Sequence, residues 1–281
     1  MGGFSQQGGD EILIACADTI MNLLLIGDII GDPGRRILSQ HLHVLRHEHR
    51  IDLAIGNAEN AAGGFGVTPK IADELFGMGF DVLTSGNHIW DKKEIIDYIR
   101  DHPRLLRPAN YPDGAPGVGR VVATTASGEK VGILHLMGRV YMPAAMDCPF
   151  RVGRREIDKL RTETHTILID MHGEATSEKS AIGWHFDGEV SAILGTHTHV
   201  QTADEQILPK GTAFITDVGM TGPVASVIGV KKEEAITKFL TQMPKRFETA
   251  TGPAILCGAV VEVDGVTGRA TAIRRIRIQE T

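Results

Sequence analysis

The sequence predicts an α/β domain, because short apolar runs alternate with segments of helical periodicity along most of its length. Continuous apolar runs of this kind are typical of strands covered on both faces. Residues 255–278 add two more strands near the C-terminus. The pattern favours two sheets between layers of helices. Five of the runs end in polar and glycine residues: residues 23–28, 53–60, 82–88, 166–174 and 192–199.

Helical periodicity is found between these runs and after the last of them. In residues 34–49 apolar side chains recur at helical spacing. Pro69 after Thr68 suits the first turn of a second helix. Asp91, followed by Glu94 three residues later, predicts the N-terminal cap of a third. The predicted helices span residues 34–49, 69–78, 91–100, 177–185 and 231–241.

The composition predicts a globular protein with one domain over residues 21–281. A net charge of −6 argues against an extended nucleic-acid surface or an anionic membrane as partner, and no apolar run is long enough to cross a bilayer. Three cysteines without a CxxC pair are typical of a reducing cytoplasm. Residues 1–20 lack the basic stretch of a secretory signal. We interpret them as a disordered extension, or as the product of a start site upstream of a native start at Met21.

Polar side chains at the ends of the five strands form the candidate site. In open α/β sheets, ligands bind beyond the carboxyl ends of the strands, so these side chains are expected to converge. Taken alone, each has a structural alternative, such as a helix cap for an Asp, a loop hydrogen bond for a Glu or Asn, or a buried hydrogen bond for a His. In an extended segment His197 and His199 would point to the same side, with Thr198 pointing away. The candidates are Asp28, Glu59, Asn60, Asn87, His172, His197 and His199.

Three histidines, two carboxylates and two asparagines favour a pair of divalent metal ions. A structural zinc site would have four Cys or His ligands in short clusters. Mixed nitrogen and oxygen ligands suit manganese, iron or zinc. A shared carboxylate would bridge two ions about 3.5–4 Å apart, as in two-metal hydrolases. Four of the remaining histidines, His41, His43, His47 and His49, lie on a predicted helix, and a solvated helix face is the preferred interpretation.

Six separated motifs closely resemble the YmdB-like branch of the calcineurin-like metallophosphoesterases, from Met21 almost to the C-terminus. They are GDIIGDPGRR, NAENAAGGFG, GNHIWD, GRVYMPAAMDCPF, HGEATSEKSAIGWH and GTHTHVQTAD. The resemblance implies a four-layer αββα sandwich with a dinuclear site at the strand ends. It assigns one metal ion to Asp28, Asn60 and His199, and the other to Asn87, His172 and His197. Glu59 is then the bridging ligand and His88 the catalytic histidine beside the leaving oxygen.

Two positions depart from the wider superfamily. Ile30 occupies the position where a His is usual, and Glu59 stands where an Asp usually bridges the metals. Both departures match the YmdB-like branch, in which Asn60 takes the place of the missing ligand. They weaken any transfer of metal preference from better-known phosphatases. The resemblance implies two divalent ions per chain, with iron or manganese favoured and zinc possible.

The resemblance also implies a phosphodiesterase acting on cyclic nucleotides, with 2′,3′-cyclic nucleotides favoured. In that reaction a hydroxide bridging the metals attacks phosphorus, and His88 protonates the leaving oxygen. Two alternatives stay open: a metal-dependent amidohydrolase, and a nucleotide-sensing regulatory protein with weak hydrolysis. Arg139 either borders the substrate or is a surface residue without a role. A homo-oligomer is the default expectation for such a chain.

Overall fold

The computed structural model describes residues 20–280. Within this range the strands form two sheets, of seven and six strands. In the first sheet β1 pairs in parallel with β3, and β3 with β4, whereas β12 is antiparallel to β1, β11 and β13. The strand order is β2-β11-β12-β1-β3-β4, and β13 pairs with β12. These strands are β1 (Ile20–Ile26), β2 (Asp28–Ile29), β3 (Leu53–Asn57), β4 (Val82–Thr84), β11 (Met220–Pro223), β12 (Ala254–Asp264) and β13 (Ala270–Gln279).

The second sheet has a parallel centre, β6-β7-β8-β10, with antiparallel strands at its two edges. Its full order is β5-β6-β7-β8-β10-β9. Strands β5 and β6 were not predicted from the sequence, and both follow the proline- and glycine-rich residues 108–119. The strands are β5 (Arg120–Thr124), β6 (Lys130–Met137), β7 (Ile167–His172), β8 (Ala192–Thr196), β9 (Gln206–Ile207) and β10 (Ala213–Ile215).

The helices connect the strands. Helix α2 begins as predicted, with the Thr68 hydroxyl accepting from the Ile71 amide at 3.3 Å. Helix α3 begins only at Ile95, after Glu94, so the predicted cap at Asp91 is wrong. Asp91 instead accepts a hydrogen bond from His88. Helix α4 was not predicted. The helices are α1 (Gly31–Glu48), α2 (Pro69–Met78), α3 (Ile95–Asp101), α4 (Pro149–Leu160), α5 (Thr176–His185) and α6 (Lys232–Thr241).

Strand β1 is buried on both faces, as its unbroken apolar sequence predicts. Leu23 and Leu25 belong to a core cluster shared with β6, β7 and β8 of the second sheet. Leu24 and Ile26 belong to another, shared with α1, α2 and α3. Alternation along the strand thus places one set of side chains between the sheets and the other under helices. A third cluster joins β6, β7 and β8 to α4 and α5.

These contacts confirm the predicted mixed α/β class. The seven predicted strands and five predicted helices all occur; α2 has the predicted ends, and the ends of the other elements are shifted. Among residues 20–280 no helix is both long and apolar enough to span a membrane. The predicted extension at residues 1–20 lies outside the described residues, apart from Ile20, which pairs with Asp264 at the start of β1. Its interpretation stays a prediction.

Candidate metal centre

The seven side chains predicted as metal ligands meet at one edge of the molecule, between the two sheets. This is the edge at which the parallel strands of both sheets end. The first sheet supplies Asp28, Glu59, Asn60 and Asn87. The second sheet supplies His172, His197 and His199.

Glu59 is common to two groups of converging ligand atoms. Ligand atoms of Glu59, His172 and His197 all lie within 4.8 Å of one another. The same holds for Asp28, Glu59 and His199. The carboxylate of Glu59 is buried, and its Oε1 lies 3.3 Å from His172 Nε2. Each group is compact enough to surround one cation, and the shared carboxylate reaches both.

Each of the two asparagines contacts a different one of these two groups. Asn87 Oδ1 lies 3.1 Å from His172 Nε2, beside the first group. Asn60 Nδ2 lies 3.1 Å from Glu59 Oε1 and 3.4 Å from His199 Nε2, beside the second. The structure therefore brings all seven predicted residues together, in the two sets that the family resemblance implies.

The backbone that carries His197 and His199 is not extended. Strand β8 ends at Thr196, and the φ angles of the two histidines are 100° and 65°, in the left-handed region that non-glycine residues rarely adopt. The prediction that strand alternation presents both imidazoles is thus wrong, although both face the same space. Such strain persists only where surrounding contacts hold it.

Buried carboxylates supply those contacts. Asp28 Oδ2 accepts from the His197 amide at 3.1 Å. Asp217 Oδ2 accepts from the amide and the hydroxyl of Thr198, at 3.0 and 2.6 Å. The ammonium of Lys179, itself 1% exposed, lies 2.9 Å from the same oxygen. This buried ion pair of α5 and the segment after β10 fixes the loop between the two histidines.

Outer hydrogen bonds orient the imidazoles. His172 Nδ1 lies 2.9 Å from the hydroxyl of Thr196, which donates to Asp170 at 2.7 Å, so the imidazole donates to that hydroxyl. Its Nε2 then faces Glu59. His199 Nδ1 donates to the carbonyl of Ile228 at 2.8 Å, which leaves its Nε2 toward the site. Outer partners of this kind set the tautomer and direction of histidines that bind metals.

Glu174 holds His197 in a similar way. Its Oε2 lies 3.2 Å from His197 Nε2, while His197 Nδ1 lies 3.1 Å from His172 Nε2 at the centre. Sequence reasoning missed Glu174, although it stands two residues after His172. The carboxylate is half exposed at the mouth of the site.

His88 lies beside the seven residues and not among them. Its backbone amide donates to Glu59 Oε2 at 3.0 Å, and its Nδ1 donates to Asp91 Oδ2 at 2.8 Å. The ring packs edge-on against Phe65, with centroids 5.1 Å apart. With Nδ1 occupied, Nε2 is the nitrogen left for a substrate. The role of Asp91 was missed, and the spacing His-x-x-Asp was its signal.

Two observations test whether the residues fit metal ions. Asp28 Oδ1 is fully buried and has no hydrogen-bond partner among residues 20–280, a costly state that a cation relieves. An added Cβ at Gly86 would lie 2.3 Å from both Glu59 Oε2 and His172 Nε2, so the absence of a side chain there keeps the ligand space open. The nitrogen and oxygen donors suit divalent transition metals. The residues fit.

In the metal-free chain, the pKa values of the ligand residues are shifted as expected for a site that binds a cation. Burial raises the pKa of Asp28 to about 6, although the nearby imidazoles of His199 and His172 lower it in part. Burial lowers the pKa of His172, but Glu59 and Asp28 outweigh it and raise that pKa to about 9. Burial also opposes ionisation of Glu59, yet the His172 imidazolium brings its pKa below the usual range. Burial and the neighbouring imidazolium lower the pKa of His197 to about 3. A proton on His172 thus balances carboxylates that a metal ion would otherwise balance.

A cavity of about 320 Å³ opens over these residues. Glu59, Asn60, His88, His197 and His199 line its polar side. Arg139 is not among its lining residues, and its backbone amide donates to Glu178 at the neighbouring turn. The interpretation of Arg139 as a residue bordering this cavity is therefore not supported.

Comparisons with known proteins agree with this geometry. The YmdB-like protein family model matches residues 24–276. A 2′,3′-cyclic-nucleotide 2′-phosphodiesterase of Bacillus subtilis (strain 168) is 47% identical over 260 residues, which cover 92% of this chain and 98% of that one. Among solved structures, a hypothetical protein from Thermus thermophilus is 40% identical, with a TM-score of 0.87 over 93% of this chain and 100% of that one. A novel phosphatase from Mycoplasma pneumoniae is 36% identical, with a TM-score of 0.88 over 94% and 95%.

Each of these matches spans nearly the whole of both chains. They confirm the family recognised from the six sequence motifs and the predicted enzyme class, a phosphoesterase. The chain belongs to the YmdB-like protein family.

Proposed function

We propose that this chain is a dinuclear metal-dependent phosphodiesterase that hydrolyses cyclic nucleotides, with 2′,3′-cyclic nucleotides favoured. The observation that carries the proposal is the position of Glu59 in both groups of converging ligand atoms. A carboxylate so placed suits two ions about 3.5–4 Å apart. The name of the Bacillus subtilis relative supports the substrate class.

In this proposal the ligands divide as the geometry groups them. Asp28, Asn60 and His199 hold one ion, and Asn87, His172 and His197 hold the other, with Glu59 shared. The close approach of Asn60 to His199 and of Asn87 to His172 supports the division. Iron or manganese is favoured, and zinc is compatible with the same donors.

When bound, two divalent cations supply Lewis-acid charge for the phosphoryl oxygens and make a water molecule acidic enough to attack near neutral pH. The chain supplies the proton for the other side of the reaction. His88 Nε2 donates it to the departing ribose oxygen, while Asp91 accepts a hydrogen bond from Nδ1 and so orients the ring. Phe65 limits rotation of the same ring.

We further propose that the two sheets and the helices stack as a four-layer αββα sandwich of the calcineurin-like type. The core cluster between the sheets and the two clusters under helices support this order of layers. One domain over residues 21–281, a cytoplasmic location and a homo-oligomeric state remain predictions from the sequence.

The test is metal analysis combined with a substrate panel. The chain is loaded separately with manganese, iron and zinc, and assayed on 2′,3′- and 3′,5′-cyclic nucleotides, on bis(p-nitrophenyl) phosphate and on the amide p-nitroacetanilide. We expect two ions per chain and the highest kcat/KM on 2′,3′-cyclic nucleotides. Tight nucleotide binding with negligible turnover under every metal would favour a sensing protein. Hydrolysis of amides but not of phosphodiesters would favour an amidohydrolase.

A further inference from the structure

The lining of the cavity over the metal centre is also partly apolar. Besides the ligand residues, it is formed by Ile30, Phe65, Ile228, Val230 and Phe247. Both phenylalanines are half-buried. A volume of about 320 Å³ is at the small end of the range for small-molecule sites. Such a cavity suits a compact ligand with one charged and one flat apolar end.

Phe247 comes from the segment between β11 and β12, which is tied to the metal centre. The Ile228 carbonyl accepts from His199 Nδ1 at 2.8 Å. The Ala250 amide donates to the Gly229 carbonyl at 3.0 Å, and the Lys231 amide to the Glu248 carbonyl at 2.9 Å. These bonds hold residues 248–250, which directly follow Phe247, against residues 229–231, next to the carbonyl that accepts from His199.

Phe247 also carries a cation on its ring. Lys238 Nζ lies 4.7 Å from the ring centroid, within the range of a cation–π contact. Phe65 is similarly held, because its ring packs against His88. Two aromatic side chains with restricted positions therefore stand beside the phosphate-binding end of the cavity.

The polar side chains that line this cavity already have roles in the proposed reaction or in the metal centre. Glu59, Asn60, His197 and His199 are proposed ligands, and His88 is the proposed acid. Glu174 and Thr198 are the other polar side chains of the lining, and both bond to the metal loop. Each polar side chain of the described lining therefore already has a role in the metal centre or the reaction, and the other lining side chains are apolar.

We propose that this apolar wall is a platform for the nucleobase, which stacks on Phe247 and Phe65 while the phosphate lies at the metal centre. The inference rests on the proposed function and adds how the substrate is selected. Stacking on an aromatic ring stabilises a bound base by about 1–3 kcal/mol and tolerates every base, since each has a π-face. The enzyme is thus selective for a nucleoside and tolerant of which base it carries.

The test compares substrates with and without a base. Wild type, Phe247→Ala and Phe239→Ala are assayed on the four 2′,3′-cyclic nucleotides and on 1-O-methyl-ribose 2,3-cyclic phosphate. Phe239 is the matched control, a phenylalanine of α6 that is 73% exposed. Phe247 is chosen over Phe65 because loss of Phe65 would also release His88.

Removal of the base is expected to lower wild-type kcat/KM by about 10- to 100-fold. Phe247→Ala should lose a similar factor on the nucleotides, mostly in KM, and little on the abasic substrate. The four bases should agree within about 10-fold. Equal losses on both substrates, or a preference for one base above about 100-fold, would overturn the platform.

Failure of the proposed function has a different signature. If wild type with two ions hydrolyses no cyclic phosphate, the function fails while the platform is still tested by equilibrium binding. Calorimetry would then compare adenosine 3′-monophosphate with ribose 3-phosphate on wild type and Phe247→Ala. Tighter binding of the nucleotide, lost in the variant, supports the platform, and equal binding refutes it.

Discussion

Gly86 offers a direct test of the candidate metal centre, because a single methyl group there would enter the ligand space. In Gly86→Ala the new Cβ would lie 2.3 Å from Glu59 Oε2 and from His172 Nε2, whereas real Cβ contacts below 3.0 Å are essentially absent from proteins. Each ligand atom must therefore move by about 0.7 Å. Metal–ligand distances hold to about ±0.2 Å, so the shift exceeds the tolerance of the site several-fold.

We expect Gly86→Ala to lower the affinity for both ions by at least about 100-fold. Loss of a group that only orients a metal ligand typically lowers metal affinity by up to about 100-fold. Affinity is measured by competition with a chromophoric chelator, and thermal unfolding in EDTA reports the metal-free fold. Gly77→Ala is the matched control, since a Cβ at this exposed glycine of α2 meets nothing within 4 Å. Wild-type affinity in Gly86→Ala would refute the proposed ligand geometry. Equal loss of metal in Gly77→Ala would show that the assay reports general destabilisation.

Other changes separate the roles within the site. His88→Ala should keep both ions but lose about 10²–10⁴-fold in kcat, and Asp91→Asn should lose about 10-fold in kcat. The control His43→Ala, at an exposed position, should keep the wild-type kcat. Full diesterase activity in His88→Ala would remove this residue from the mechanism. Glu59→Ala should lose both ions, because one side chain serves the two groups, and elemental analysis that finds two ions per chain would contradict the bridging role. The pKa of His172 is raised to about 9 in the metal-free chain, so its imidazole is protonated near pH 7.5 and a cation must displace that proton. Metal affinity should rise with pH up to about 9, and calorimetry at about pH 7.5 should find about one proton released per chain when both ions bind. Binding without proton release would show that His172 is not a ligand.

The rule that ligands gather at strand ends predicted that these side chains converge, and the structure brings them together. Asp28, Glu59 and His172 each follow or end an apolar run, and in the structure these runs are parallel strands with a common edge. Resemblance to the family then divided the residues into two sets, which the observed distances match.

The conformation at His197 and His199 was beyond sequence reasoning. An apolar run ending in HTH looks extended, and its left-handed φ angles are fixed by Asp217 and Lys179, which are distant in the chain. The missed α4 has a different cause. Its buried Val152, Ile157 and Leu160 are separated by glycine and charged residues, so the apolar signal is sparse although the helix is well packed.

The missed Asp91 shows a competition between two local roles. An acidic residue just before a helical pattern is typical of an N-cap. Here the carboxylate turns back to His88, and α3 begins later without a side-chain cap from Glu94. The same residue type at the same spacing serves either role, and only the position of the imidazole decides between them.

The supply of ligand residues from both sheets has a consequence for folding. A metal-loaded centre adds a crosslink to the hydrogen bonds and apolar contacts that already join the two layers at that edge. Because the last histidines lie at positions 197 and 199, a nascent chain cannot assemble the centre until the second sheet has emerged and closed on the first. Removal of the ions with a chelator should therefore speed the separation of the two sheets at this edge. Hydrogen exchange should then rise first at the backbone amides near the C-terminal ends of β3 and β7, and later at the opposite ends of these strands.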